Sequence, residues 1–263
     1  MSNTIWWGNH QLAIDEQRRW QMAGLLLQIQ RDAQEWQIAY HRSPNQHEDD
    51  HDWQIIEHTD RSPMPEKALL QRYIYNQTQQ QIHLKPCLAD RSVVIKPITP
   101  LFLSSNQQTT LFVSTPLWLN IFSDDDNLLL DIPFVRPTDT WFGATPIRGE
   151  ICYATKVFGR LALEQLPIRA FRAVTPIHIV NHHTKAIQIE RINIPAPLLP
   201  LYAAQDGRLW TPTIEVEQLA NGRTPKVSIS KHLHPKAGNV KLLNQARQHD
   251  DDNLINLFEH FFE

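Results

Sequence analysis

Between residues 136 and 150 the chain places Arg136, Asp139, Trp141, Phe142, Gly143, Arg148, Gly149 and Glu150 within one short segment. An indole beside a carboxylate and a guanidinium can stack on and hydrogen-bond a sugar, a nucleobase or a peptide. Such groups collect on loops that a rigid scaffold holds in place. The ligand-binding set read from this segment is Arg136, Asp139, Trp141, Arg148 and Glu150. The competing reading is a crossover between sheets, with Trp141 buried and Arg136 paired to Asp139.

Three other clusters have residue types suited to chemistry. His47, Asp49, Asp50, His51 and Asp52, with His58 nearby, offer metal-ligand types, and a metal-dependent enzyme using His47 and His51 is one reading. The preceding Ser43-Pro44-Asn45 speaks for a solvated acidic loop, and a zinc site needs further ligands held rigidly. Asp124-Asp125-Asp126-Asn127 lacks the alternating carboxylates, central glycine and closing glutamate of a calcium loop. His232 and His234 share one strand face with Ser228 and Ser230, without a glutamate at short spacing to complete a metal set. No metal site and no cofactor are expected.

Charge is uneven along the chain. Residues 218–249 carry six Lys or Arg and no acid, against a net −3 for all 263 residues. Lys226, Lys231, Lys236 and Lys241 are the candidate partner contacts, for a protein or an anionic surface. The stretch has no interleaved aromatics on which bases could stack, so specific nucleic-acid binding is not expected. Neutralisation within the chain, by Asp124–Asp126, Asp250–Asp252 or the 47–52 loop, is the alternative use.

Several function classes lack their signatures. The chain has no G-x-S-x-G, G-x-x-x-x-G-K-[ST], G-x-G-x-x-G, C-x-x-C or H-E-x-x-H. Cys87 and Cys152 have no spacing motif and no basic cluster to activate them, which suits a reducing compartment. The start of the chain lacks a basic and apolar leader, and no window reaches about 18 apolar residues. The expectation is a cytoplasmic protein that does not span a membrane; its oligomeric state is not legible.

The elements that position these groups are strands. Eighteen prolines against eight glycines argue against long helices and phosphate-cradling loops. Trp36, Ile38 and Tyr40 alternate with Glu35, Gln37 and His41, which puts three large groups on one face. Residues 18–31 read as one strand bulged at Gly24, followed by a turn at 31–34, and 73–75 with 82–84 read as a hairpin. Beyond residue 92 short strands recur at regular spacing. Asp206-Gly207 and Asn221-Gly222 are hairpin turns in a meander over 200–233. Six Thr-Pro pairs, at 99, 115, 145, 175, 211 and 224, read as strand beginnings, since proline fixes φ and lacks a ladder donor. Asp250–Asp252 would cap a helix whose apolar Leu254, Leu257, Phe258 and Phe261 dock on the rest.

Five stretches carry a family resemblance: Ile98-Thr-Pro-Leu-Phe102, Ser114-Thr-Pro-Leu-Trp118, Asp139-Thr-Trp-Phe-Gly143, Gly149-Glu-Ile-Cys-Tyr153 and Pro197-Leu-Leu-Pro-Leu-Tyr202. On these, residues 93–210 resemble a prokaryotic family of uncharacterised proteins known only as a domain of unknown function. The resemblance implies no activity.

The expected fold is all-β: antiparallel β-sandwich units over 1–88 and 89–245, closed by a helix over 246–263. The expected function is a non-enzymatic binding or accessory protein that recognises a protein or membrane-associated partner. A carbohydrate or small-ligand binding module is the alternative.

Overall fold

A computed structural model describes residues 5–22, 24–42, the backbone of 55–58, and then 63–123, 126–143, 145, 147, 149–220 and 225–248. About 55% of the protein is strand and 4% helix, so the fold is all-β. The expected C-terminal helix, the 47–52 cluster, Arg148 and the Asn221-Gly222 turn lie outside the described residues.

In chain order the first strands are β1 (Gly8–Gln11), β2 (Gln17–Met22), β3 (Leu25–Arg31), β4 (Glu35–Arg42), β5 (Ile55–His58), β6 (Leu69–Ile74) and β7 (Gln81–Cys87). They are followed by β8 (Val93–Pro97), β9 (Leu101–Leu103), β10 (Gln108–Pro116), β11 (Trp118–Ser123), β12 (Leu128–Pro133), β13 (Thr138–Phe142) and β14 (Glu150–Val157). The remainder are β15 (Arg172–Asn181), β16 (Ile187–Ile189), β17 (Ile192–Ile194), β18 (Leu201–Ala204), β19 (Leu209–Trp210), β20 (Ile214–Gln218), β21 (Lys226–Ile229) and β22 (Val240–Asn244). Short 3-10 turns sit at Leu163–Gln165, Ala196–Leu198 and Pro235–Ala237.

The chain divides into two compact units, Met1–Cys87 with Trp118–Arg136, and Leu88–Leu117 with the chain from Pro137 onward. The excursion arises because β11 pairs antiparallel with β7 and then turns into β12. A single division near residue 88, as read from the sequence, therefore leaves out the hairpin that completes the first unit.

The first unit holds two sheets, ordered β1-β7-β11-β12 and β5-β2-β3-β4-β6. Residues 18–31 form two strands, β2 and β3, not one bulged strand, because the phase shift at Gly24 lies at the connection between them. Trp36, Ile38 and Tyr40 are buried on one face, as their alternation requires. The 73–84 segment is not a hairpin. β6 pairs with the free edge of β4, where Arg72 Nη2 meets Glu35 Oε2 at 2.6 Å, while β7 enters the other sheet. The buried Arg31 side chain holds the crossover, donating to Thr78 Oγ1 (3.1 Å), Thr78 O (2.9 Å) and Leu12 O (2.8 Å). Charge-assisted bonds are the stronger kind, and backbone bonds from Tyr75 to Gln34 O and from Thr78 to Ala33 O hold the same segment.

The second unit is organised around β15. β10 pairs with it antiparallel over nine residues, from Gln108↔Val180 to Pro116↔Arg172. On its other side two strands run parallel in succession, β19 against Ala173 and Val174, then β20 against Ile177 to Asn181. Pro176 lies in the interior of β15, not at its start, and falls where β19 has ended and β20 has not begun. A proline costs no ladder bond there. Likewise Pro116 ends β10, while Pro100, Pro212 and Pro225 precede strands as expected. A four-stranded sheet β13-β14-β8-β17 and the pair β16-β9 complete the unit. The phase slip at Arg191 is a change of sheet: β16 pairs with β9, and β17 pairs with β8.

Candidate functional site

One face of the β10-β15-β20-β21 region changes character along the strands. At the Arg172 end it is apolar, where Phe112, Leu163, Leu166, Val174, Trp210 and Ala237 form a buried cluster. At the other end the same face is polar. Register aligns Thr110 with His178, His178 with Glu215, and Glu215 with Ser228, so four polar side chains cross four strands in one row. The next row holds Gln108, Val180, Glu217 and Lys226.

These rows open on a groove of about 150 Å³ lined by His178, Val180, Glu215, Val216, Glu217, Lys226 and Ser228. Thr110 Oγ1 and His178 Nδ1 share a hydrogen bond of 3.1 Å, which orients the ring and leaves Nε2 as its other polar atom. Ser228 Oγ donates to Glu215 Oε2 at 3.4 Å, and His182 Nε2 meets Glu217 Oε1 at 3.1 Å. At the apolar end of the row His234 stacks on Trp210 (6.4 Å, 6° between planes) and packs edge-on to Phe112 at 5.1 Å. Burial first, then the charges of Lys236 and His178, hold the His234 imidazole below its usual pKa. Its Nδ1 accepts the Lys236 backbone N–H at 3.2 Å.

The groove thus presents two carboxylates, an imidazole, an ammonium and hydroxyls within reach of one small molecule. Among the described residues no group of three or more His, Cys, Asp or Glu is placed to hold a metal ion. Among the described residues the hydroxyl of Ser228 contacts the Glu215 carboxylate and not an imidazole.

The residues singled out from the sequence lie elsewhere. Most of the 136–150 segment is a hairpin: Thr138–Phe142 pairs with Glu150–Val157 at the edge of its sheet. Asp139 meets Arg91 Nη1 at 3.5 Å, and Glu150 Oε1 accepts from Asn193 Nδ2 at 3.2 Å. Trp141 is 40% exposed, and its indole N–H donates to Thr145 O at 2.9 Å, closing the hairpin loop. A Cβ on Gly149 would fall 2.9 Å from the Trp141 ring and 2.5 Å from Phe142 O, so the loop needs glycine there. Arg136 is exposed at the end of the first unit, while Asp139, Trp141 and Glu150 belong to the second.

Among the described residues the basic stretch is partly engaged within the chain; of the acids expected to neutralise it, only Asp126 is described. Lys236 Nζ pairs with Glu164 Oε1 at 2.9 Å, Lys226 stands opposite Glu217, and Arg247 Nε donates to Leu88 O at 2.7 Å. Asp126 pairs instead with Lys85 at 3.4 Å. Lys231 and Lys241 are exposed.

Of the groove residues, sequence reasoning singled out Lys226, as a partner contact in the basic stretch, and Ser228, as a strand-face neighbour of His232 and His234. The available signal was the alternation in Ile177-His178-Ile179 and Ile214-Glu215-Val216-Glu217. Each strand alone reads as an ordinary half-solvated strand, and only the register assembles the row.

The fold is all-β, with a polar groove on one sheet of the second unit. The chain belongs to the family described as Protein of unknown function (DUF432), which it matches over residues 6–262. No curated protein and no solved structure matches it. Among the described residues no helix is long and apolar enough to cross a membrane.

Proposed function

We propose that this protein is a binding module for a small, neutral, hydroxyl-rich ligand of the sugar or polyol class, held in the groove over β15, β20 and β21. The observation that carries the reading is the register-aligned row Thr110–His178–Glu215–Ser228 opening on a 150 Å³ groove. Carboxylate acceptors alternate there with imidazole, hydroxyl and ammonium donors, which is what vicinal hydroxyls require. Glu217 stands opposite Lys226 and meets His182 Nε2, so one of the two carboxylates is engaged within the groove and an anionic ligand is disfavoured.

The test is a thermal-shift and calorimetric screen of neutral sugars, polyols, amino acids and nucleotides. A neutral hydroxylated hit should weaken about tenfold or more on Glu215→Gln or His178→Ala, the loss of one hydrogen bond to a charged group. A hit unaffected by both substitutions, or no hit among the neutral compounds, refutes the reading. An accessory role toward a protein or anionic surface is favoured only by the exposure of Lys231 and Lys241. A pull-down that returns only the bait, together with a monomeric mass, would remove it.

A further inference from the structure

The outer edge of β6 lacks, among the described residues, the devices that protect other strand edges of the chain. On β12, Pro133 O accepts from Arg42 Nε and Leu129 O from the Tyr73 hydroxyl, while β21 and β22 carry Lys226 and Lys241. Charges, prolines, bulges and covering groups are the usual protection of an edge. β6 reads Leu69-Leu70-Gln71-Arg72-Tyr73-Ile74, without lysine or proline, and its register with β4 runs unbroken from Glu35↔Ile74 to Tyr40↔Leu69. Its one charge, Arg72, is held by Glu35 Oε2, at 2.9 Å from Nε and 2.6 Å from Nη2. Among the described residues no strand pairs with its outer edge.

Leu69 and Leu70 point to opposite faces, because a strand alternates, yet each is 57% exposed, and Ile74 is 80% exposed. The edge is therefore uncovered on both faces. Backbone bonding fixes which groups turn outward. The Tyr75 N–H donates to Gln34 O at 2.8 Å, so the bonded pairs of this ladder are Gln34 with Tyr75, Trp36 with Tyr73, Ile38 with Gln71 and Tyr40 with Leu69. Leu70, Arg72 and Ile74 turn their N–H and C=O groups away from β4.

We propose that a second copy of this chain pairs with this edge, β6 running antiparallel to β6 across a two-fold axis at Arg72. Leu70 then meets the partner's Ile74, Arg72 the partner's Arg72, and Ile74 the partner's Leu70. Every outward residue falls in a bonded pair that exchanges both of its backbone hydrogen bonds. A shift of one residue sets outward positions against inward ones, and a shift of two leaves one outward residue beyond the end of the partner strand. The arginines oppose each other at the axis, but each brings its own Glu35, so no net charge is gathered there. The edge is thus complementary to itself, which assigns the place to a second copy. Each chain has one β6, so the assembly closes as a dimer. The pairing does not depend on the ligand groove.

The experiment is sedimentation equilibrium of the full chain from low to high micromolar concentration. The mass should pass from one chain to two. Leu70→Lys and Ile74→Lys each put a charge on the edge and should weaken association about tenfold or more, with the melting point of the dilute monomer unchanged. Ile151→Lys, at an exposed isoleucine of the other unit, should associate as the wild type does. The register has its own readout. Arg72→Cys should form a disulfide between chains on oxidation, because bonded pairs hold their Cα atoms about 5.5 Å apart, within disulfide reach. The native Cys87 and Cys152 are buried and do not compete. Leu70→Cys, whose partner position is Ile74, should not cross-link with itself. A single-chain mass at every concentration, a mass rising beyond two chains, association untouched by both lysine variants, or cross-linking of Leu70→Cys in place of Arg72→Cys overturns the proposal.

Discussion

The Thr-Pro pairs lead to the most exacting stability prediction. Thr115, Thr175 and Thr211 are fully buried, and their hydroxyls form one cluster. Thr115 Oγ1 and Thr175 Oγ1 lie 2.7 Å apart, and Thr211 Oγ1 donates to Thr175 Oγ1 at 3.0 Å, with Pro212 O a further acceptor at 3.1 Å. Thr175→Val keeps the β-branched shape and removes both links at once. Two neutral hydrogen bonds contribute about 1–3 kcal/mol together, and an orphaned buried hydroxyl costs about 1–3 kcal/mol more. Thr211 keeps Pro212 O, so the orphan is Thr115. The expected cost is about 3 kcal/mol, read by urea unfolding followed by circular dichroism, with a melting point about 6–12 °C lower. The double variant Thr115→Val, Thr175→Val leaves no orphan, because Thr211 keeps Pro212 O, and should lie within about 1 kcal/mol of wild type, since replacing both partners of a hydrogen bond by apolar isosteres is nearly neutral. A Thr175→Val substitution costing less than about 1 kcal/mol, or a double variant that costs the sum of its two singles, refutes the cluster argument.

Two other outcomes follow from local geometry. Gly149→Ala would press a methyl against Phe142 O and the Trp141 ring, so it should destabilise by about 1–3 kcal/mol and raise the solvent quenching of Trp141 fluorescence; unchanged melting and quenching would contradict the clasp. Burial, and then the hydrogen bond to Asp90, push the Tyr153 phenol up to about 12, despite Arg91 over its ring. A raised folded pKa means the native state holds the proton more tightly. Its contribution to stability is therefore complete below the ordinary tyrosine range and is lost as pH rises through about 12. A phenolate absorbance titration of wild type against Tyr153→Phe should lose its most alkaline component, and loss of an ordinary component instead would refute the assignment.

Alternation in the sequence was enough to place Trp36, Ile38 and Tyr40 on a buried face, because a strand's two-residue period is a local property. Asp206-Gly207 was equally legible: Gly207 takes a positive φ of 85° in the β18–β19 turn, a conformation that suits glycine. The reading failed where a strand's partner is distant in the chain. The 73–84 segment looked like a hairpin because its halves are close in sequence, yet β6 and β7 enter different sheets, drawn apart by Arg72–Glu35 and Arg31–Thr78. For Trp141 the sequence neighbours gave no hint that the indole N–H donates to Thr145 O within its own hairpin.

The Thr-Pro pairs show the same division. That the chain is all-β, rich in short strands and poor in helix follows from composition and period alone, since both act over a few residues. That three of those threonines meet in one buried cluster was decided only by β15, which gathers β10, β19 and β20 around itself. The groove row depends on the same gathering, with His178 at its centre. Side chains widely separated in sequence become neighbours only through register. Register is set by which strands pair, and no local pattern in this chain encodes that pairing.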